Sequence, residues 1–238
     1  MRLFFIFIVS VLTNLTCQAG AFSVTPVRLF FEPKDRAIAL TLMNEGDEEI
    51  ILQADVHRWT QNAEGLDTLE FTDDLIVSPP HLRLPPRSKQ VVRLGLLIPR
   101  DPSQQMTYRL VIREIPEALP LKGEALQLPI ALVLNMPIFI TPQGAKRHLD
   151  CEWNPGKGPA ASLSCTNTGS AYAQVRDAEI KRNGNLLAKS TGGTYILPGA
   201  RKDLPLEIND RLPIPSGLAE LVLVCDDLKP EISNFDIP

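Results

Sequence analysis

The chain has 238 residues and a mass of 26.3 kDa, enough for one large domain or two of ordinary size. Its 44% hydrophobic and 22% charged residues are globular composition, and 21 prolines interrupt helices too often for a mainly helical protein. The net charge of −4, with no basic block longer than two residues, argues against a nucleic-acid partner.

The first 21 residues read as a targeting segment. Met1-Arg2 is a basic start, residues 3–15 are mostly apolar, and Ala19-Gly20-Ala21 supplies small residues for cleavage after Ala21 or Ala19. The run is too short for a comfortable membrane span. In a rival reading Cys17 carries a lipid, but Thr16 precedes it where a smaller residue is usual. No second long apolar run follows, so the mature protein is expected to be soluble, with no membrane span. Export places Cys151, Cys165 and Cys225 in an oxidising compartment. Cys151 and Cys165 flank a strong turn signal at residues 154–158, which sets them opposite each other if two antiparallel strands meet there. A Cys151–Cys165 disulfide is expected, with Cys165–Cys225 as the alternative pairing. The odd thiol reads as a buried structural cysteine.

Strand-like runs then follow one another. In the first part they cover residues 22–31, 37–43, 49–59, 75–78, 89–96, 106–115 and 125–141. Ile38, Leu40 and Leu42 share one face, as do Ile50, Leu52, Ala54 and Val56, and Tyr108, Leu110 and Ile112. Seven strands in about 120 residues is the count of an immunoglobulin-like sandwich. Residues 141–144 read as a linker. Shorter runs at 148–153, 160–166, 173–182, 195–197, 204–208 and 218–225 make a second β domain, with Asn183-Gly184 a tight turn. The expected organisation is all-β: a signal at 1–21, an immunoglobulin-like domain at 22–142 and a C-terminal β-sandwich at 143–238.

The last strand of the first domain is unusual. Leu126, Leu128, Ile130, Leu132 and Leu134 recur at a spacing of two, so they share one face. Pro129 cannot donate a ladder hydrogen bond, which marks an edge strand. The row either fills the sandwich core or is offered to a partner by strand addition.

Catalytic signals are absent from the sequence. There is no Gly-rich phosphate loop, no G-x-S-x-G elbow and no Cys-x-x-Cys. His57, His81 and His148 lack metal-ligand spacing, and His57 reads as a surface or half-buried residue. Asp73-Asp74 and Asp226-Asp227 are neighbours, which a strand points to opposite faces. A carbohydrate-active enzyme needs two carboxylates in one cleft, and the sequence places none. No enzyme activity and no cofactor or metal is expected.

An ordered set of segments carries a family resemblance. They are Val27-Arg28-Leu29-Phe30-Phe31, Leu42-Met43-Asn44-Glu45-Gly46, and Trp59-Thr60-Gln61 followed by Gly65-Leu66-Asp67. Residues 75–80 (LIVSPP), Gln90-Val91-Val92-Arg93, Tyr108-Arg109-Leu110 and Arg113-Glu114-Ile115-Pro116 complete it. In order and spacing the set resembles the periplasmic chaperones of chaperone–usher pilus assembly, across the whole first domain. The second domain resembles them loosely, through residues 163–169 and its β pattern.

The resemblance implies two immunoglobulin-like domains set in a boomerang, periplasmic localisation, and pilus or adhesin subunits and an outer-membrane usher as partners. Subunits of this kind are sandwiches lacking a strand. The chaperone lends its own edge strand, here Leu126, Leu128, Ile130, Leu132 and Leu134. Basic residues anchor the subunit's C-terminal carboxylate and set the register. Arg28 matches the family's arginine on the first strand. The position of its anchoring lysine is taken by Pro137, which cannot bind a carboxylate. The Met136-Pro137-Ile138-Phe139 stretch and the segment from Trp59 to Asp67 look more like the archaic branch, which serves spore-coat-U-like subunits. Arg109, on the strand antiparallel to the last one, is the candidate to replace the lysine. Arg113 and Glu114 are assigned to structural ion pairing. A secreted structural or adhesive β-sandwich is the competing expectation.

Overall fold

A computed structural model describes residues 22–116, 131–154, 161–209 and 216–237. The targeting segment, with Cys17, lies outside the described residues, as do Leu126, Leu128, Pro129 and Ile130 of the aliphatic row and residues 155–158 of the turn between the cysteines.

The first set of strands is β1 (Phe22–Thr25), β2 (Leu29–Phe31), β3 (Ala37–Asn44), β4 (Ile50–Gln61), β5 (Asp67–Phe71), β6 (Leu75–Ser78), β7 (His81–Leu84), β8 (Lys89–Leu96), β9 (Met106–Glu114) and β10 (Val133–Ile140). They form two facing sheets, ordered β1-β3-β8-β6 and β2-β10-β9-β4-β5, with β7 pairing the start of β4. Alternation puts Leu40 and Leu42 of β3, Leu52, Ala54 and Val56 of β4, and Tyr108, Leu110 and Ile112 of β9 into one core, as their spacing predicts.

Three departures from the sequence reading have physical causes. The single strand expected at 22–31 is two strands in different sheets, because Pro26 cannot continue a ladder. β1 runs antiparallel to β3, and β2 crosses over to run parallel to β10. β5 was not legible because all five of its residues are exposed and leave no alternation to read. β7 hides behind Pro79-Pro80, which reads as a stop.

The second set is β11 (Leu149–Asn154), β12 (Ser162–Asn167), β13 (Ala173–Arg182), β14 (Asn185–Ile196), β15 (Arg201–Pro205), β16 (Glu207–Ile208), β17 (Gly217–Cys225) and β18 (Pro230–Ile237). Their sheets are ordered β11-β12-β15 and β16-β14-β13-β17-β18 around a separate core that includes Leu163, Val175, Ile180 and Leu221. The Asn183-Gly184 turn joins β13 to β14, with both residues at positive φ (51° and 78°). Cys151 and Cys165 are directly paired across β11 and β12 and form a disulfide. Cys225 is free and buried, and burial pushes its thiol up to about 11, so it is an inert core residue. β18 was missed from sequence because only Phe235 and Ile237 of its eight residues are buried.

The two domains meet on a small aromatic cluster. Trp59 and Phe139 come from the first, Leu197, Tyr172 and Tyr195 from the second. Gly65, at φ +74°, lies so near Arg201 that a Cβ there would sit 2.1 Å from its carbonyl oxygen. Only glycine fits that approach.

Candidate functional site

Directly paired residues of neighbouring strands share a face of the sheet. Ile138 pairs Leu29, so one step back Arg28 stands beside Pro137. Pro137 pairs Arg109, Arg109 pairs His57, and His57 pairs Phe71. Arg28, Pro137, Arg109, His57 and Phe71 therefore make one lateral row across the sheet. The next row on the same face is Phe30, Phe139, Thr107, Trp59 and Leu69. This face is the one away from the first core, and it is turned to the second domain. With strands about 4.8 Å apart, the two arginines flank Pro137 at a backbone separation of about 10 Å.

The second domain touches both arginines. Arg28 Nη1 donates to Gln174 Oε1 at 3.2 Å and lies 3.3 Å from Asp226 Oδ2. Asp226 also accepts the Tyr172 hydroxyl at 2.6 Å, and Tyr172 stacks on Phe139 at 3.9 Å between centroids. Burial, reinforced by Asp226, pushes the Tyr172 phenol upward, so it stays a neutral donor. Its neighbour Asp227 pairs Arg147 at 3.1 Å. Arg28 stays partly open, with 31% of its side chain exposed.

Arg109 is held differently. Its guanidinium carbon lies 3.6 Å from the centre of the Trp59 ring and 5.4 Å from that of Tyr195. Burial lowers its pKa from the usual arginine value, with Tyr195 and Asp67 pulling the other way. Among the described residues it has no hydrogen bond or ion pair. It is therefore a half-buried cation with aromatic faces and no directly paired anion, rather than a solvent-facing arginine. Trp59 is itself fixed, donating from Nε1 to Asp67 at 3.0 Å.

Beyond Arg109 the row is apolar. His57 is buried, not the surface or half-buried residue expected, because the exposed Phe71 ring packs edge-on against it at 4.6 Å. Its Nδ1 has no hydrogen-bond partner among the described residues.

The edge of β10 completes the site. Among the described residues, β10 from Val133 to Pro137 pairs β9 on one side only, and β2 covers the other side from Ile138 onward. Leu132 is exposed, whereas Leu134 packs against the first domain's own core with Met136 and Ile138. At Leu134 the aliphatic row is thus inside the domain, which limits the stretch that faces outward to residues before it.

Arg113 makes a structural ion pair as assigned, whereas Glu114 makes none among the described residues. Arg113 pairs Asp55 at 2.5 Å across β4 and β9. Glu114 points to the other face and accepts the Leu132 amide at 3.2 Å instead of a cation. Trp59, Tyr172 and Tyr195 were missed as site residues, because nothing in one strand's periodicity says that its outer face meets another domain.

Comparisons with known proteins agree with this architecture. The family described as "Pili and flagellar-assembly chaperone, PapD N-terminal domain" matches residues 21–146. No curated protein matches the chain. Among solved structures, the chain is similar to one in the CsuC–CsuE chaperone–tip adhesion subunit pre-assembly complex from archaic chaperone–usher Csu pili of Acinetobacter baumannii. That match has 17% identity, covers 91% of this chain and 98% of that one, and has a TM-score of 0.66. The SafA pilin–SafB chaperone complex of Salmonella enterica matches at 17% identity over 92% and 97%, with a TM-score of 0.59. The Pseudomonas aeruginosa CupB2 chaperone matches at 15% over 91% and 100%, with a TM-score of 0.58. At these identities the solved structures establish the fold, an all-β pair of immunoglobulin-like domains.

Proposed function

This chain belongs to the family of pili and flagellar-assembly chaperones, which are not enzymes, and from that premise we propose that it captures pilus or adhesin subunits by their C-terminal strand. The observation that carries the reading is the edge of β10 from Val133 to Pro137, which no strand pairs among the described residues and which ends between Arg28 and Arg109. A strand added to that edge lies in line with β2, which is parallel to β10 and preceded by Arg28. If the added strand is also parallel, its C-terminus meets the arginines. If it is antiparallel, its amino terminus does. Two cations favour the carboxylate and hence the parallel strand.

The remaining roles follow from the same geometry. The donated segment is Leu126, Leu128, Ile130 and Leu132, whose side chains plug the subunit's apolar groove, while Leu134 belongs to the chaperone. Anchoring the terminus fixes the register, because a slip of one residue would turn every plug to the wrong face. The chain acts in the periplasm after removal of residues 1–21, and delivers its subunit to an outer-membrane usher. Pro137 in place of a basic residue, with Arg109 beside it, supports membership of the archaic branch.

Co-purification with a pilus subunit from periplasm tests this. Leu128→Asp and Ile130→Asp should abolish recovery of the subunit while circular dichroism stays native, since a carboxylate pushed into an apolar groove loses water without gaining a partner. Arg28→Ala and Arg109→Ala should each weaken capture about 10–100-fold, and the double variant by less than the product, because both hold one carboxylate. A Leu128→Asp protein that unfolds would show that the row is the chaperone's own core. An Arg109→Ala protein that binds like the parent would remove Arg109 from the anchor.

A further inference from the structure

One of the two aromatic rings against Arg109 comes from the second domain. Gln61, two residues beyond Trp59 on β4, brackets the end of β14: its Nε2 donates to the Tyr195 carbonyl at 3.0 Å, and its Oε1 accepts the amide of Leu197, just past the strand, at 2.8 Å. This bracket sets the Tyr195 ring edge-on to Trp59, at 5.4 Å and 82°. The guanidinium carbon of Arg109 lies over the indole and within reach of the phenol ring.

A guanidinium has two kinds of surface. Its faces are weakly hydrated and stack on aromatic rings, and its rim carries the N–H donors. Stacking satisfies the faces and leaves the rim unpaired. A flexible arginine must give up rotamer freedom when it binds a carboxylate, whereas a stacked one has already done so.

We infer that Tyr195 is a positioning residue for the anchor: with Trp59 it holds the Arg109 guanidinium so that its N–H rim meets an incoming carboxylate. Capture by the first domain then depends on the second domain being docked. Arg28, held from Gln174 and Asp226, follows the same logic. The inference rests on the anchoring role proposed above.

The test uses the full mature chain and two short synthetic peptides of alternating valine and threonine, one ending in a free carboxylate and one in an amide. The ratio of their dissociation constants isolates the contribution of the carboxylate. The parent should prefer the acid. Tyr195→Ala should reduce that preference roughly tenfold, the size of a desolvated cation–π contact, while affinity for the amide stays the same. Tyr195→Phe, which keeps the ring, should restore the preference. Tyr195→Leu, which keeps apolar volume without a ring, should lose it, and serves if the alanine variant does not fold. An equal loss for both peptides would make Tyr195 merely structural and overturn the inference. An unchanged preference in Tyr195→Ala and Tyr195→Leu would overturn it while leaving the anchor standing. A parent with no preference for the acid would remove the anchor itself, and this inference with it.

Discussion

Asn44 and Asn167 occupy the same place in the two domains. Each ends a strand, β3 or β12, and each is fully buried. Two residues later comes a glycine whose N–H donates to the asparagine Oδ1, at 2.9 Å for Gly46 and 3.0 Å for Gly169. Asn44 Nδ2 donates to the carbonyls of Glu48, Leu84 and Pro85, tying the turn to the end of β7. Asn167 Nδ2 donates to those of Ala171 and Ile196, tying its turn to β14. The difference lies in the glycines. A Cβ on Gly46 would come close to the Asn44 side chain, at 3.2 Å, and reach backbone no nearer than 4.0 Å, whereas one on Gly169 would lie 2.4–2.7 Å from the backbone of residues 146–148. The amides of Ser170 and Ala171 donate to the Lys146 carbonyl, and Ser170 in turn accepts the Gln105 amide from the first domain. One local device closes a sandwich in the first domain. In the second it also seats the connecting segment, next to the tyrosine and aspartate that hold Arg28.

The largest expected effect comes from removing the amides. Asn44→Ala or Asn167→Ala leaves buried carbonyls without donors and should cost about 3 kcal/mol or more. Hydrogen exchange read by mass spectrometry should locate the loss in the domain that carries the substitution. Loss of protection across both domains from either change would mean that the turns are not independent.

The second domain carries an additional covalent constraint. Replacing Cys151 and Cys165 together by alanine opens a loop of 14 residues and should cost about 3 kcal/mol. Calorimetry should show the second domain melting earlier with the first unchanged.

Gly169→Ala and Gly46→Ala sharpen the comparison directly. The first forces backbone aside and should cost about 1–3 kcal/mol. The second has only a side-chain oxygen to displace and should cost under about 1 kcal/mol. Equal melting temperatures for the two variants would show that the junction is not held through Gly169.

The smallest effect separates the domains by pH. Asp74 in the first domain accepts Arg58 at 2.5 Å and the Tyr108 hydroxyl at 2.9 Å. Burial pushes its pKa up, but the hydrogen bonds from Arg58, Tyr108 and Thr72 win and hold it below 3.8. A depressed carboxyl contributes its stability in full above the unfolded value and loses it as pH falls through the folded one. The Asp74 contribution should thus be constant through neutral pH and fade only below about 3.8. Asp74→Asn should flatten that acid limb in a melting-temperature titration.

The sequence alone determined the strands whose two faces differ. β3, β4 and β9 were legible from alternation because one face is core and the other is not. The turn signal at residues 154–158 favoured the Cys151–Cys165 pairing over Cys165–Cys225, and the register of β11 and β12 decided it. β5 and β18 were not legible, because an exposed edge strand needs no apolar face and leaves no period. Arg28 and Arg109 could be singled out only through resemblance, since an arginine on a strand looks the same whether it faces solvent or a second domain. Tertiary structure alone decided that the outer face of the first domain's sheet carries a lateral row, with both arginines flanking Pro137. It also decided that Gln174 and Asp226 hold Arg28 and that Trp59 and Tyr195 hold Arg109. Neighbours in that row come from strands far apart in the chain and from both domains. Periodicity reports which face a residue is on, but only the fold reports what lies across from it.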